Sequence, residues 1–259
     1  MPRKTRTLFG GFCYHIINRG NGRAQVFHGE ADYREFVKLM AAAAGEHPPP
    51  RLAPRLLAYC LMPNHIHLVL WPREDGEVSR WMQWLMTAQV RRHHRRHGTD
   101  GHLWQGRFKA FPIQRDEHLL SVLRYVERNP LRAKLVARAE DWPWSSLGAA
   151  IHTGLAGAGL AGAGLAGTNA AGTNPGRFDE GLAPPLLAPP LHAGPLPRPA
   201  NWSEWVNETE PPGQLAALRH SVNRGTPWGG ADWARRTAAR LGIESSLHPR
   251  GRPPKKSVR

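Results

Sequence analysis

Residues 65–71 read His-Ile-His-Leu-Val-Leu-Trp. In an extended strand, side chains alternate between faces, so His65 and His67 project together. Two neighbouring imidazoles suit a divalent cation and, supplying only two nitrogens, leave positions open for substrate oxygens. A bare His-x-His is more often a structural pair, and it needs a second group to give it chemistry. Residues 118–130, His-Leu-Leu-Ser-Val-Leu-Arg-Tyr-Val-Glu-Arg-Asn-Pro, offer one. On a helix Tyr125 and Asn129 lie one turn apart, on a face displaced from the Leu119/Leu123/Val126 stripe. A phenol there can reach a site over a sheet, and an amide oxygen one turn on can serve as a third ligand. The competing assignment is an amphipathic tyrosine at the rim of the core. Asn129 also precedes Pro130, and residues before proline avoid helical geometry. His118, seven positions before Tyr125, is therefore a reserve third ligand.

Such groups need elements to carry them. Residues 13–18 read as a strand, 31–45 as a helix, and 55–61 and 65–71 as two strands split by the turn Met62-Pro63-Asn64. So short a connection predicts an antiparallel hairpin. Val78, Trp81, Met82, Leu85 and Ala88 recur at helical spacing over 78–97. Residues 105–113 follow as a strand and 116–128 as a helix. That order predicts an α+β fold, a ferredoxin-like or RRM-like antiparallel sheet with helices on one face. A small helical C-terminal region follows it.

Three compositional regions divide the 259 residues. Residues 1–147 have ordinary periodicity. Residues 148–200 contain the repeat GLAGA-GLAGA-GLAGT-NAAGT and proline pairs; they read as a flexible linker or loop insertion, since they cannot bury enough apolar surface to offset chain entropy. The repeat generates G-x-G-x-x-G twice without the flanking strand and helix that a dinucleotide site requires. No phosphate-binding loop for ATP occurs. Residues 201–259 regain tryptophans, charges and helical spacing. Lys and Arg total 35 against 20 acidic residues, a net charge of +15 that favours a polyanionic partner without saying which. Two distant cysteines build no disulfide framework, and no apolar run approaches a membrane span. A soluble protein in the cytoplasm, associated with the nucleoid, is expected.

Three stretches carry a family resemblance. Cys60-Leu-Met-Pro-Asn-His-Ile-His-Leu-Val-Leu, Trp104-Gln-Gly-Arg-Phe-Lys and Arg124-Tyr-Val-Glu-Arg-Asn-Pro-Leu-Arg-Ala resemble the REP-associated tyrosine transposases, single-tyrosine members of the HUH superfamily. Tyr14-His-Ile-Ile-Asn-Arg-Gly-Asn and Trp142-Pro-Trp-Ser-Ser are similar to the same family, so the likeness covers most of 12–147 in order. It implies an HUH transposase domain in which His65 and His67 hold Mg²⁺ or Mn²⁺, Asn129 is the third ligand and Tyr125 the nucleophile. The implied reaction is cutting and rejoining of single-stranded DNA at REP-type hairpins through a 5′-phosphotyrosine, without ATP. Relatives include monomers and dimers, so the tyrosine can act in cis or in trans. The alternatives are a non-catalytic DNA-binding regulator on the same fold and an RNA-binding α+β protein.

Basic residues supply candidate DNA contacts. Arg91, Arg92, Arg95 and Arg96 end the second helix with no acid among them. His93 and His97 stand four apart there and could in principle take zinc; with four arginines beside them, a solvated phosphate-contacting face is the favoured reading. Arg19 and Arg23 follow the first strand, and Arg107 and Lys109 share one face of the expected fourth. Residues 214–241 read as two helices, with Leu215, Leu218 and Val222 lining the first and Trp233, Thr237 and Leu241 the second. They resemble the family's C-terminal module and, loosely, a helix-turn-helix, with a packing appendage as the other reading. The tail around Arg250 and Arg252 resembles an AT-hook, with a disordered basic tail as its alternative.

Overall fold

The structure, a computed structural model, describes residues 8–44, 53–152 and 189–248. The Gly/Ala repeat and the AT-hook-like tail with Arg250 and Arg252 lie outside the described residues.

Four strands form one antiparallel sheet: β1 (Cys13–Arg19), β2 (Arg55–Met62), β3 (His65–Trp71) and β4 (Lys109–Ile113), in the order β2-β3-β1-β4. With α1 (Glu30–Ala44) after β1 and α2 (Glu77–His97) after β3, this is the ferredoxin-like arrangement expected from the element order. The Pro63-Asn64 connection makes β2 and β3 a tight hairpin, with Met62 opposite His65. β4 is shorter than expected, so Arg107 stands in the segment before it rather than beside Lys109 on a strand face.

Alternation sorts the sheet into two faces. One carries Tyr14, Ile16, Ile66, Leu68 and Leu70, all fully buried. It lies under α1 and α2: the Asn18 amide reaches Met86 Sδ at 3.5 Å, and Trp81 Nε1 donates to the Ala43 carbonyl at 3.2 Å. Each large apolar side chain buried there contributes roughly 1.5–3 kcal/mol. Val78, Trp81, Met82 and Leu85, spaced to share one side of α2, make that helix a lid over the core. Gly98 ends α2 in the left-handed region (φ 61°), where its N–H bonds the His94 carbonyl.

A third long helix, α3 (Glu117–Glu127), covers the opposite face, against β2, β3 and β4. Helices therefore lie on both faces: the two of the ferredoxin-like unit on one side and α3 on the other. Asp116 caps α3, its side chain accepting from the His118 N–H at 3.0 Å. The helix breaks at Arg128, and a short α4 (Asn129–Arg132) resumes with Pro130 in its first turn, so the pre-proline Asn129 is itself helical, at a helix start where a following proline is tolerated.

Both sheet edges are covered. Trp228 pairs with β4 on its outer side, accepting from Gln114 N and donating to the Pro112 carbonyl, each at 2.9 Å. The edge position also explains how Pro112 fits inside a strand. Along β2 run residues 144–146 and, later in the chain, 192–198: Leu61 N donates to the Trp144 carbonyl at 2.9 Å and His192 N to the Leu56 carbonyl at 2.8 Å. Helix α5 (Ser146–His152) crosses the boundary read at 147/148. It packs close enough that a Cβ on Gly148 would stand 1.9 Å from the Trp142 carbonyl oxygen. Helix α6 (Trp202–Asn207) buries Trp202 and Val206 in the same core, while α7 (Pro212–Arg224) and α8 (Ala231–Leu241) form the two expected C-terminal helices. Within the segment 148–200 read as spacer, residues 192–198 thus hydrogen-bond along β2.

Candidate active site

The face under α3 carries His15 and Arg19 from β1, His65 and His67 from β3, and Lys109 from β4. The register sets Arg19 opposite His65 and Ile17 between His67 and Lys109. Tyr125, near the C-terminal end of α3, comes down on these residues. Its ring centroid lies 5.9 Å from that of His67 and 6.1 Å from that of His15, edge-on to both. The His65 and His67 rings are 4.9 Å apart. The structure thus brings together, in one chain, the phenol and the imidazole pair that the sequence separates by about sixty positions.

The hydrogen bonds fix how the two imidazoles face. His65 Nδ1 bonds Asn64 Oδ1 at 2.6 Å, and His67 Nδ1 bonds His15 Nε2 at 2.8 Å, the last two rings being coplanar to within 5°. In both, Nδ1 is engaged and Nε2 is left for a cation, the usual way a neighbouring group orients a metal-binding histidine. Ligation by His67 Nε2 requires the tautomer in which His67 Nδ1–H donates to His15 Nε2. His15 then carries its proton on Nδ1, a buried atom with no partner among the described residues. Burial pushes His65 down to about 4, with Arg19 adding to the shift, and pushes His15 down to about 3. His67 falls well below its ordinary value, chiefly through burial and then through His65. Neutral imidazoles are the form that binds metal, and this donor set fits a divalent cation.

Asn129, the expected third donor, is buried at the start of α4, one turn beyond Tyr125. Its Oδ1 accepts from Arg132 at 2.8 Å and its Nδ2 donates to the Val126 carbonyl at 3.2 Å. An amide oxygen has a second lone pair, so the arginine leaves one site for a cation. The reserve candidate His118 is elsewhere: it bonds Asp116 Oδ1 at 2.8 Å at the start of α3, roughly 10 Å along the helix from Tyr125.

Arg132, to which the sequence reading gave no role, organises the phenol. Its guanidinium lies 4.4 Å from the Tyr125 ring centroid and donates to the Tyr125 carbonyl at 3.2 Å and to Glu210 Oε2 at 2.7 Å. Burial holds the Tyr125 hydroxyl above its ordinary value, and Arg132 is the largest influence in the other direction. That hydroxyl makes no hydrogen bond among the described residues. Two signals could have found the missed residues. Arg132 is two helical turns past Tyr125, and His15 is the one histidine in β1, on the strand face that the register gives to His67.

The expected DNA contacts divide. Arg19, Arg107 and Lys109 line one cavity of about 780 Å³, with Asn18, Gln105 and Asn223. Arg23 is exposed in the turn after β1, where its carbonyl accepts from Asn64 Nδ2 at 3.1 Å. Arg91 and Arg95 are exposed and unpaired among the described residues. Arg92 pairs with Glu35, and Arg96 lies 3.4 Å from Asp32. His93 is buried against α1, which corrects the reading of a solvated histidine face.

Comparison with known proteins agrees with the family read from the motifs. Residues 10–129, just under half of the chain, match the family model described as "Transposase IS200 like". A curated protein of Haemophilus influenzae, named a putative REP-associated tyrosine transposase, is 30% identical over 100 residues; the match takes in 35% of this chain and 57% of that protein's length. A solved structure, of a REP-associated tyrosine transposase bound to a REP hairpin, is 20% identical with a TM-score of 0.45, covering 60% of this chain and 87% of that one.

Proposed function

Taking residues 10–129 as an IS200-like transposase domain, we propose that the chain cuts and rejoins single-stranded DNA beside REP-type hairpins, with Tyr125 as nucleophile acting in cis. The observation that carries this reading is the approach of the Tyr125 ring to 5.9 Å from His67 within one chain. The free Nε2 atoms of His65 and His67 support it.

Tyr125 Oη attacks the scissile phosphorus in line. The bond to the 3′ oxygen breaks, that oxygen leaves as a 3′-OH, and the phosphate stays on tyrosine as a 5′-phosphotyrosine. A 3′-OH attacking that ester reverses the exchange and restores the phenol, so no nucleotide cofactor is consumed. Arg132 holds the ring from one side and favours loss of the phenolic proton. Arg19 and Lys109, on the same sheet face, bring positive charge to the entering phosphate backbone. His65, His67 and Asn129 would hold Mg²⁺ or Mn²⁺, which when bound polarises the scissile phosphate. Arg23, Arg91, Arg92, Arg95, Arg96, Arg107, Arg250 and Arg252 are further backbone contacts on this reading.

A labelled single-stranded hairpin oligonucleotide incubated with the protein and Mn²⁺ tests it. A denaturant-resistant adduct should form, vanish in Tyr125→Phe, and vanish in His65→Ala with hairpin affinity nearly intact. Binding with no adduct across varied sequences and metals would leave the non-catalytic regulator.

A further inference from the structure

The C-terminal half of α2 does more than present arginines. His93 is 8% exposed, and neither of its ring nitrogens has a hydrogen-bond partner among the described residues. A buried polar ring left unpaired is costly unless something else satisfies it. Its neighbours are two more imidazoles: the His93 centroid lies 4.5 Å from His97 and 5.6 Å from His28, and the last two are 4.9 Å apart. A carboxylate completes the group. Asp32 Oδ1 meets His97 Nε2 at 2.9 Å, while Oδ2 accepts from the His28 backbone N–H at 2.8 Å. The four side chains come from the segment entering α1, the first turn of α1, and the last two turns of α2.

The spacing has a definite chemical meaning. Zinc binds imidazole nitrogen at about 2.0–2.1 Å, and the ring centre lies ~1.1 Å behind that nitrogen. Tetrahedral ligands then have ring centres about 5.2 Å apart, and the three observed separations fall on both sides of that value. We infer that His28, His93, His97 and Asp32 form a structural site for a borderline divalent cation, Zn²⁺ being the best match, which clamps the start of α1 to the end of α2. Three imidazoles and one carboxylate favour zinc over the hard cations that prefer oxygen, and four protein donors leave no open position for substrate.

The donors stand in a metal-free arrangement. The Asp32–His97 hydrogen bond occupies two of the donor atoms. Among the described residues, the trio of such atoms already within ligand range of one another is Asp116, Glu117 and His118, the partly exposed cap of α3. Binding at the α1–α2 cluster requires His28 and His93 to turn about their side-chain bonds. His28 is exposed and makes no side-chain hydrogen bond, so it can do so. Arg91 and Arg95, two positions from His93 and His97, point away from the cluster, while Arg92 and Arg96 are partnered by Glu35 and Asp32. A cation here would fix the orientation of the exposed arginine face. The inference is independent of the proposed role of His65 and His67.

The test uses full-length His65→Ala/His67→Ala protein, so that the candidate catalytic pair contributes nothing. After chelator stripping, Zn²⁺ is titrated against a chromophoric chelator, and Co²⁺ absorption reports the geometry. One equivalent per chain should bind, with Co²⁺ bands of tetrahedral intensity. Adding His93→Ala or His97→Ala should weaken binding roughly a hundredfold or more, and the exposed His28→Ala at least about tenfold. His94→Ala, whose ring already bonds Thr99 and the Gly101 carbonyl, and His118→Ala should leave it unchanged. If His93→Ala fails to fold, His28→Ala still decides. No bound equivalent, or one that survives both His28→Ala and His97→Ala, overturns the site.

Discussion

Replacing Glu127, two positions beyond Tyr125 on α3, with glutamine should destabilise the protein. Glu127 is 1% exposed. Its Oε1 accepts from Ser146 Oγ at 2.5 Å and its Oε2 from Trp202 Nε1 at 2.7 Å, and Arg198 lies 3.5 Å away. Arg198, its side chain largely enclosed, donates to the Leu57 carbonyl at 2.8 Å and lies over the Trp202 ring. Breaking a buried pair typically costs ~3–5 kcal/mol because the surviving charge is stranded. Here the Leu57 carbonyl and the Trp202 ring still receive the guanidinium, which puts Glu127→Gln at about 2–3 kcal/mol. At roughly 2–4 °C per kcal/mol for a domain of this size, Tm falls by about 5–10 °C. Arg198→Met should cost about 2 kcal/mol, the carboxylate keeping its Ser146 and Trp202 donors. With both replaced, neither charge is stranded, so the double variant should be more stable than the sum of the single losses by ~2 kcal/mol. Urea melts of the four proteins, each at low and high salt, measure the coupling. Losses that add to within about 0.5 kcal/mol, or a coupling abolished by salt, would show that the pair is not the enclosed link drawn here between α3 and residues 198–202.

Arg132→Gln should move the alkaline limb of the cleavage pH profile upward, because the cation over Tyr125 opposes the burial that raises its hydroxyl. A profile that stays in place would remove Arg132 from that role. Stability measured in chelator should fall as pH drops from about 6.5 towards 4. The unfolded chain takes up protons on histidines that the fold keeps neutral, His15 among them at about 3. Each such histidine adds a slope of up to ~1.4 kcal/mol per pH unit, and His15→Gln should flatten the dependence; an unchanged slope would count against it. Arg19→Ala and Lys109→Ala should each weaken DNA binding at every sequence tested and reduce the salt slope by about one. Loss confined to one sequence would mark a base contact instead.

Local order was legible in the residues alone. Strand alternation and helical spacing placed every element of the sheet and the helices α1, α2 and α3 to within a few residues, because hydrophobic period and turn residues are short-range signals. It also put His65 and His67 on one face and Tyr125 on the flank of its helix. Which groups meet depends on how the elements pack. His15 reaches His67 because β1 pairs with β3, and Arg132 lies over Tyr125 because Glu210, between α6 and α7, anchors it. His28 and Asp32 join His93 and His97 because α1 packs on α2. His15 and His67 are 52 residues apart, and Arg132 and Glu210 are 78 apart, so local sequence does not show these contacts. Composition likewise suggested that a spacer begins at 148, whereas α5 continues to His152 and residues 192–198 edge the sheet. A short apolar or charged stretch shows its role only when the surface that it covers is present.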